Sequence, residues 1–143
     1  MHQEYFLQYK KTRISMICSQ PKNILGVMVL CHGFGEHYRR YLSDVIPVLE
    51  GSGLAVVAYD NIGHGKSGGK RGHCPNYEAL LDILDMVIER AESLFPKKPL
   101  FLYGHSMGGN LVLNYGLRRN HPIKGIVATS PYLRLAFKPP ARK

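Results

Sequence analysis

From Met107 to Lys143 the chain contains no aspartate, no glutamate and a single histidine, His121. Any chemistry that needs a carboxylate cannot draw it from that stretch, which offers a single imidazole. No apolar run approaches the ~20 residues of a bilayer span; the longest, Gly26–Cys31 and Leu54–Tyr59, are short. The first twenty residues carry Glu4, Lys10, Lys11 and Arg13 and no apolar central region, so a cleaved secretory signal is not expected. Cysteine is sparse and odd in number, with no C-x-x-C spacing. That excludes a disulfide framework and fits a reducing, cytoplasmic setting, with Cys18 and Cys31 read as buried small hydrophobes. There is no H-E-x-x-H, and Cys31-His32, His37, His64 and His73-Cys74 match no zinc spacing, so no metal is expected. Low-complexity tracts and fixed-period repeats are also lacking.

What remains is an ordinary globular composition, 45% apolar and 20% charged, long enough for one domain with a sizeable core. The net charge is +9, but residues 1–106 hold 12 Lys+Arg against 10 Asp+Glu, whereas residues 107–143 hold 7 and none. A bias confined to the last quarter, without interleaved aromatics, argues against a nucleic-acid surface. Balancing acids are expected in a continuation of the chain.

Residues 5–9 and 13–18 read as paired strands. Val27 to Cys31 reads as a strand covered on both faces, and Leu54 to Tyr59 as a second. Tyr41, Leu42, Val45, Ile46 and Leu49 recur at helical spacing up to Gly51, with Pro47 interrupting that helix or forcing a late start. Leu80, Leu84, Val87, Ala91 and Leu94 mark an amphipathic helix with Asn76 as its cap. Residues 100–103 form a strand, 107–119 a helix and 125–128 another strand. Strands alternating with helices of this length predict an α/β fold with a mostly parallel sheet. Residues 1–132 read as one core and 133–143 as a tail.

Three glycine-rich segments fall at strand ends, where open α/β sheets place their sites. Gly104-His105-Ser106-Met107-Gly108 sits between a strand and a helix, the setting of a nucleophile elbow that lifts a serine hydroxyl above the sheet. Gly104 and Gly108 are expected to keep side chains away from it, and Gly109 to let the helix pack close. His105 is read as structural, its side chain turned away from the serine into packing. His32-Gly33-Phe34-Gly35-Glu36-His37 can supply one backbone N–H to a developing oxyanion, from Phe34, while Met107 supplies the other. Gly63-His64-Gly65-Lys66-Ser67-Gly68 imitates a dinucleotide fingerprint and the end of a phosphate loop. No helix can begin at Gly69-Lys70-Arg71-Gly72, however, so both nucleotide readings are rejected.

In order and spacing, residues 32–37, the run Asp60-Asn61-Ile62-Gly63-His64-Gly65-Lys66-Ser67, residues 104–109 and Ser130-Pro131 resemble the monoacylglycerol lipase / lysophospholipase family of α/β-hydrolases, of the serine aminopeptidase S33 type. The likeness runs from about Val27 to Pro131. It implies a serine esterase without cofactor, acting on single-chain acyl glycerols, lysophospholipids or related esters. Ser106 is then the nucleophile, Phe34 and Met107 the oxyanion hole, and Glu36 and Arg40 lie near the alcohol end of the substrate. The family's lid, triad acid, triad base and last strands would follow residue 143, with residues 133–143 at the start of the lid. The isolated chain is therefore expected to be inactive. The alternative is a non-catalytic truncated module or subunit that self-associates, or pairs with another chain, through an exposed edge at residues 125–128. Peripheral membrane contact belongs among these expectations.

Overall fold

Alternating residues at the N-terminus build a hairpin: β1 (His2–Tyr9) and β2 (Thr12–Ser19) pair antiparallel around a turn at Lys10 and Lys11. The structure, a computed structural model, describes residues 2–138 and Pro140. The continuous apolar runs become β3 (Gly26–Cys31) and β4 (Leu54–Tyr59), buried along nearly their whole length. β5 (Leu100–His105) and β6 (Gly125–Thr129) complete one six-stranded sheet in the order β1-β2-β4-β3-β5-β6. β3–β4, β3–β5 and β5–β6 are parallel, while the hairpin joins antiparallel through β2–β4. The parallel centre is as expected; the hairpin makes the sheet mixed.

Strand alternation sends Val27, Val29, Ala55, Val57 and Leu102 to one face, under α2 (Tyr77–Leu94) and α3 (Met107–Arg118). Leu30, Val56 and Ala58 go to the other, under α1 (Val45–Gly51) and a 3₁₀ turn at Tyr38–Tyr41. Cys18 and Cys31 are buried in the first core, and all three thiols are free. Burial pushes the Cys18 thiol up to about 11 and the Cys31 thiol up to about 12.

The helix expected from Tyr41 onward is split, and Pro47 is the reason. The α-helix starts only at Val45, after Asp44, whose carboxylate accepts the Val45 N–H at 2.6 Å. Pro47 then falls in the first turn, where no N–H is needed. Asn76 caps α2 as expected, taking the Ala79 N–H at 2.9 Å. Arg119, just past α3, reaches Glu78 and Asp82 on α2 at 3.0 Å each and also pairs with Asp85. Arg118 pairs with Glu78 as well. Two cations of the acid-free stretch thus pair with upstream acids, while the net charge of +9 is unchanged by that pairing.

α1 covers β2, β4 and β3 but leaves the same face of β5 and β6 open. Tyr103 is half-buried there, and Val127 on the outer strand is 44% exposed. Among the described residues no helix is long and apolar enough to cross a membrane.

Candidate active site

Ser106 occupies the sharp turn from β5 into α3, with φ 55° and ψ −111°. A left-handed φ is strained for a residue with a Cβ and persists only where its surroundings enforce it. Here the Ser106 N–H donates to the Thr129 carbonyl at 3.0 Å, and the Ser106 carbonyl accepts from Tyr132 and Asn110 at 2.9 and 3.0 Å. Ser106 precedes the helix as its cap residue, yet its hydroxyl makes no capping bond. The hydroxyl and the first N–H groups of α3 are therefore left for something else. The glycines act differently from the expectation that they clear space around the serine. A Cβ on Gly104 would overlap the Gly108 carbonyl, and one on Gly108 would overlap the Cys31 carbonyl. Both let α3 press directly onto β5 and β3. Gly109 packs close as expected, with its Cβ position 3.0 Å from the Pro131 Cα.

Opposite the elbow, the turn after β3 is held from three sides. His32 Nδ1 donates to its neighbour's carbonyl, Gly33 O, at 2.7 Å, and Nε2 accepts the Asn61 N–H at 2.9 Å. Both ring nitrogens are used by the neutral form. Burial accordingly holds the imidazole below its ordinary range, helped by nearby His64 and opposed by Gly33 O, Asp60 and Glu36. Glu36 turns inward: Oε1 accepts the Gly33 N–H at 2.6 Å and the Tyr41 hydroxyl, while Oε2 meets Arg40 at 3.0 Å. Burial pushes the Glu36 carboxyl up, but the Tyr41 hydroxyl, the Gly33 N–H, Arg40 and His105 outweigh it and hold the group below the usual carboxylate range. The Phe34 ring stands edge-on to His64, centroids 5.4 Å apart.

The third segment explains why the nucleotide imitations fail. Asp60, fully buried at the end of β4, accepts the Tyr38 N–H at 2.9 Å and the Lys66 N–H at 2.8 Å. The residue 60–69 loop thus wraps the chain's own carboxylate where a phosphate would have to sit. Arg71 braces the loop from outside through the carbonyls of Gly65, Ser67 and Gly69.

The fold brings Ser106, Gly33, Glu36 and Arg40 to one end of the sheet. The ideal Cβ position of Gly33 lies 3.0 Å from Glu36 Oε1 and 3.3 Å from Ser106 Cβ, so turn and elbow are in contact. Phe34 and Met107, flanking that contact, have N–H groups with no acceptor among the described residues. His105 is structural as expected but not packed away. Its Nδ1 bonds Thr129 Oγ1 at 2.8 Å, and it lines an open cleft of about 240 Å³ with Glu36, Arg40, Tyr41, Asp44 and Tyr103. Sequence reading missed Tyr41, taken as a helix-face residue, and the bonds of Asp60, which it saw only as the first residue of the third motif. The only signal for Asp60 was an acid at a strand end followed by glycines that keep its surroundings open. Among the described residues no group of three or more His, Cys, Asp or Glu is placed to hold a metal.

Comparison with known proteins agrees with this arrangement. The family model described as serine aminopeptidase, S33, matches residues 22–143. The chain is 38% identical over 106 residues to the monoacylglycerol lipase of Mycolicibacterium smegmatis, covering 74% of this chain and 38% of that protein. It is 32% identical over 124 residues to the monoglyceride lipase of Homo sapiens, covering 87% and 40%. Among solved structures, the monoacylglycerol lipase of Paleococcus ferrophilus superposes with a TM-score of 0.74 at 40% identity, over 88% of this chain and 47% of that one. The chain thus spans 38% to 47% of the length of these three proteins. With its sheet order, its serine elbow and this match over most of its length, the chain belongs to the serine aminopeptidase S33 family of α/β-hydrolases.

Proposed function

We propose that this chain carries the nucleophile and the oxyanion side of a serine ester hydrolase acting on monoacylglycerols, lysophospholipids or related acyl esters. The observation that carries the reading is Ser106 in its left-handed turn, uncapped, against the residue 32–36 turn. Ser106 Oγ attacks the acyl carbonyl while a base takes its proton. The Phe34 and Met107 N–H groups receive the oxyanion, the alcohol leaves, and water then releases the acyl group. Glu36 and Arg40, on the cleft beside the elbow, stand at the alcohol end. Among the described residues no histidine hydrogen-bonds Ser106: His32 has both ring nitrogens taken, and His64 and His105 use Nδ1 on Ile62 O and Thr129 Oγ1, respectively. The reading therefore assigns the base and its orienting acid to residues outside those described, with residues 1–132 as the core half and residues 133–143, part of which lies outside the described residues, as the start of a lid.

Lipid esters imply work at a lipid surface. Exposed Leu133, Leu135 and Phe137 beside Arg134 and Lys138 support peripheral contact there. Three free thiols support a reducing, cytoplasmic setting.

A second reading, a non-catalytic module that pairs through β6, is favoured by the unpaired outer edge of that strand and the exposure of Val127. A fluorophosphonate probe separates the two. On the esterase reading the purified 143-residue chain is labelled slowly, orders of magnitude below a complete triad. The label maps to Ser106 and vanishes in Ser106→Ala. Labelling that survives Ser106→Ala refutes the nucleophile. No labelling at all, with concentration-dependent dimerisation, supports the module.

A further inference from the structure

We infer that Glu36 is a positioning residue: its grip on the Gly33 N–H holds the residue 32–36 turn so that the Phe34 N–H stays free beside Ser106. What that N–H does rests on the esterase reading; the grip itself does not.

Several observations place Glu36 inside the machinery of the turn. Its side chain is 9% exposed, whereas that of Arg40, its ion-pair partner, is 67% exposed. Oε1 already takes two donors, the Gly33 N–H and the Tyr41 hydroxyl, and Oε2 takes Arg40. A carboxylate so engaged has little acceptor capacity left for a ligand. The turn's N–H groups divide accordingly: Gly33 donates to Glu36 Oε1, Glu36 donates back to Gly33 O at 3.4 Å, and Phe34 and Gly35 between them have no acceptor among the described residues. A charged acceptor makes the Gly33 bond stronger than a neutral one would. The turn also has no slack, since the space a Gly33 side chain would need is bounded at 3.0 Å by Glu36 Oε1, at 3.2 Å by the His105 carbonyl and at 3.3 Å by Ser106 Cβ. If Gly33 shifts, the next N–H along the chain shifts with it. The Tyr41 hydroxyl secures the carboxylate from behind, and burial, joined by the bond to Glu36, raises the phenol above its ordinary value.

Two conservative variants separate reach from charge. Glu36→Gln keeps an acceptor oxygen at the same distance and loses the charge. Glu36→Asp keeps the charge and falls one methylene short of the Gly33 N–H. Amide hydrogen exchange, read by NMR on the 143-residue chain, reports the grip directly. Gly33 is expected to stay protected in Glu36→Gln and to exchange at least about tenfold faster in Glu36→Asp, with Val29 and Leu102 in the sheet unchanged in both. The rate of Ser106 phosphonylation follows the same order: Glu36→Gln within about tenfold of the parent and Glu36→Asp slower by about 10²-fold, the effect of displacing one oxyanion donor. The opposite order, Asp behaving as parent and Gln failing, makes the charge decisive and overturns the inference. Loss of protection across Val29 and Leu102 in both variants overturns it too, because Glu36 is then a requirement of the whole sheet. A chain in which Gly33 follows reach, but Ser106 takes no label even in the parent, upholds the grip and counts only against the esterase reading.

Discussion

Replacing Gly108 by alanine pits helix propensity against backbone contact within one residue. Gly108 is the second residue of α3, and alanine in a helix is favoured over glycine by about 1 kcal/mol. Propensity alone predicts a more stable protein. The added Cβ, however, would overlap the Cys31 carbonyl and come within 2.7 Å of the His32 carbonyl oxygen. Those are backbone atoms at the end of β3, a central strand bonded to β4 and β5 on its two sides, and they cannot swing away. The start of α3 must back off by roughly an ångström, at a cost of about 1–3 kcal/mol or more for overpacking. Backing off also loosens Leu111, Val112 and Tyr115, all buried under the helix. With the propensity gain offsetting part of that cost, the net expectation for Gly108→Ala is a loss of about 1–2 kcal/mol, or roughly 3–6 °C in Tm.

Gly116 in the same helix is the internal control. Its added Cβ meets only Ile126 Cδ1, at 2.7 Å, the tip of a flexible side chain that is itself half-buried. The propensity gain is similar and the steric cost small, so Gly116→Ala should stay within about 1 kcal/mol of the parent. The chain has no tryptophan, so far-UV circular dichroism through thermal and urea unfolding is the suitable assay. Gly108→Ala at or above the parent Tm refutes the reasoning. So does Gly116→Ala falling as far as Gly108→Ala.

The labelling of Ser106 and the Glu36→Gln/Glu36→Asp comparison stand as described above. His32 gives a pH prediction: its native pKa is lowered by burial, so the unfolded state takes up the proton first as pH falls. The stabilisation from neutral His32 is whole above the unfolded value of about 6.5 and is lost as pH drops from there toward its lower native value. NMR titration of the ring should place His32 below 6.5, and a His32 that titrates at or above that value contradicts the bonding assigned to Nε2. Arg119→Ala should cost about 1 kcal/mol in urea unfolding at low ionic strength, less at high salt, because three carboxylates of α2 lose a shared cation. Salt-independent destabilisation would mean that packing, not charge, is what Arg119 supplies.

Periodicity and capping made most of the framework legible. The apolar runs at β3 and β4, the Asn76 cap and the strand–turn–helix setting of Ser106 are all local patterns, written within a few residues of where they act. The parts that escaped depend on contacts between segments far apart in sequence. Arg118 and Arg119 find their acids 34 to 41 residues earlier, on α2, which residue-by-residue charge counting over the last quarter cannot register. Tyr41 shares the spacing of an apolar helix face, yet the 3₁₀ turn that frees its hydroxyl for Glu36 exists because Pro47 delays α1. The glycines of the elbow were legible as glycines, but not their purpose. Only the approach of α3 to the Cys31 carbonyl shows that they serve contact between backbones rather than space around the hydroxyl.

Where the structure could receive a negative charge follows from which N–H groups already have one. Strand ends of β3, β4 and β5 each offer donors, and two of the three groups are answered from within the chain. Asp60 takes the N–H groups of Tyr38 and Lys66, and Glu36 takes that of Gly33. The Asp60 carboxylate fills the loop that looks most like a phosphate cradle, which leaves no room there for a second anion. Among the described residues, Phe34 and Met107, next in the chain to the contacting Gly33 and Ser106, are donors without an acceptor. Met107 also opens α3, so the partial positive end of the helix reinforces that point alone. On the esterase reading proposed above, an ester carbonyl under attack by Ser106 would turn its developing oxyanion toward the Phe34 and Met107 N–H groups.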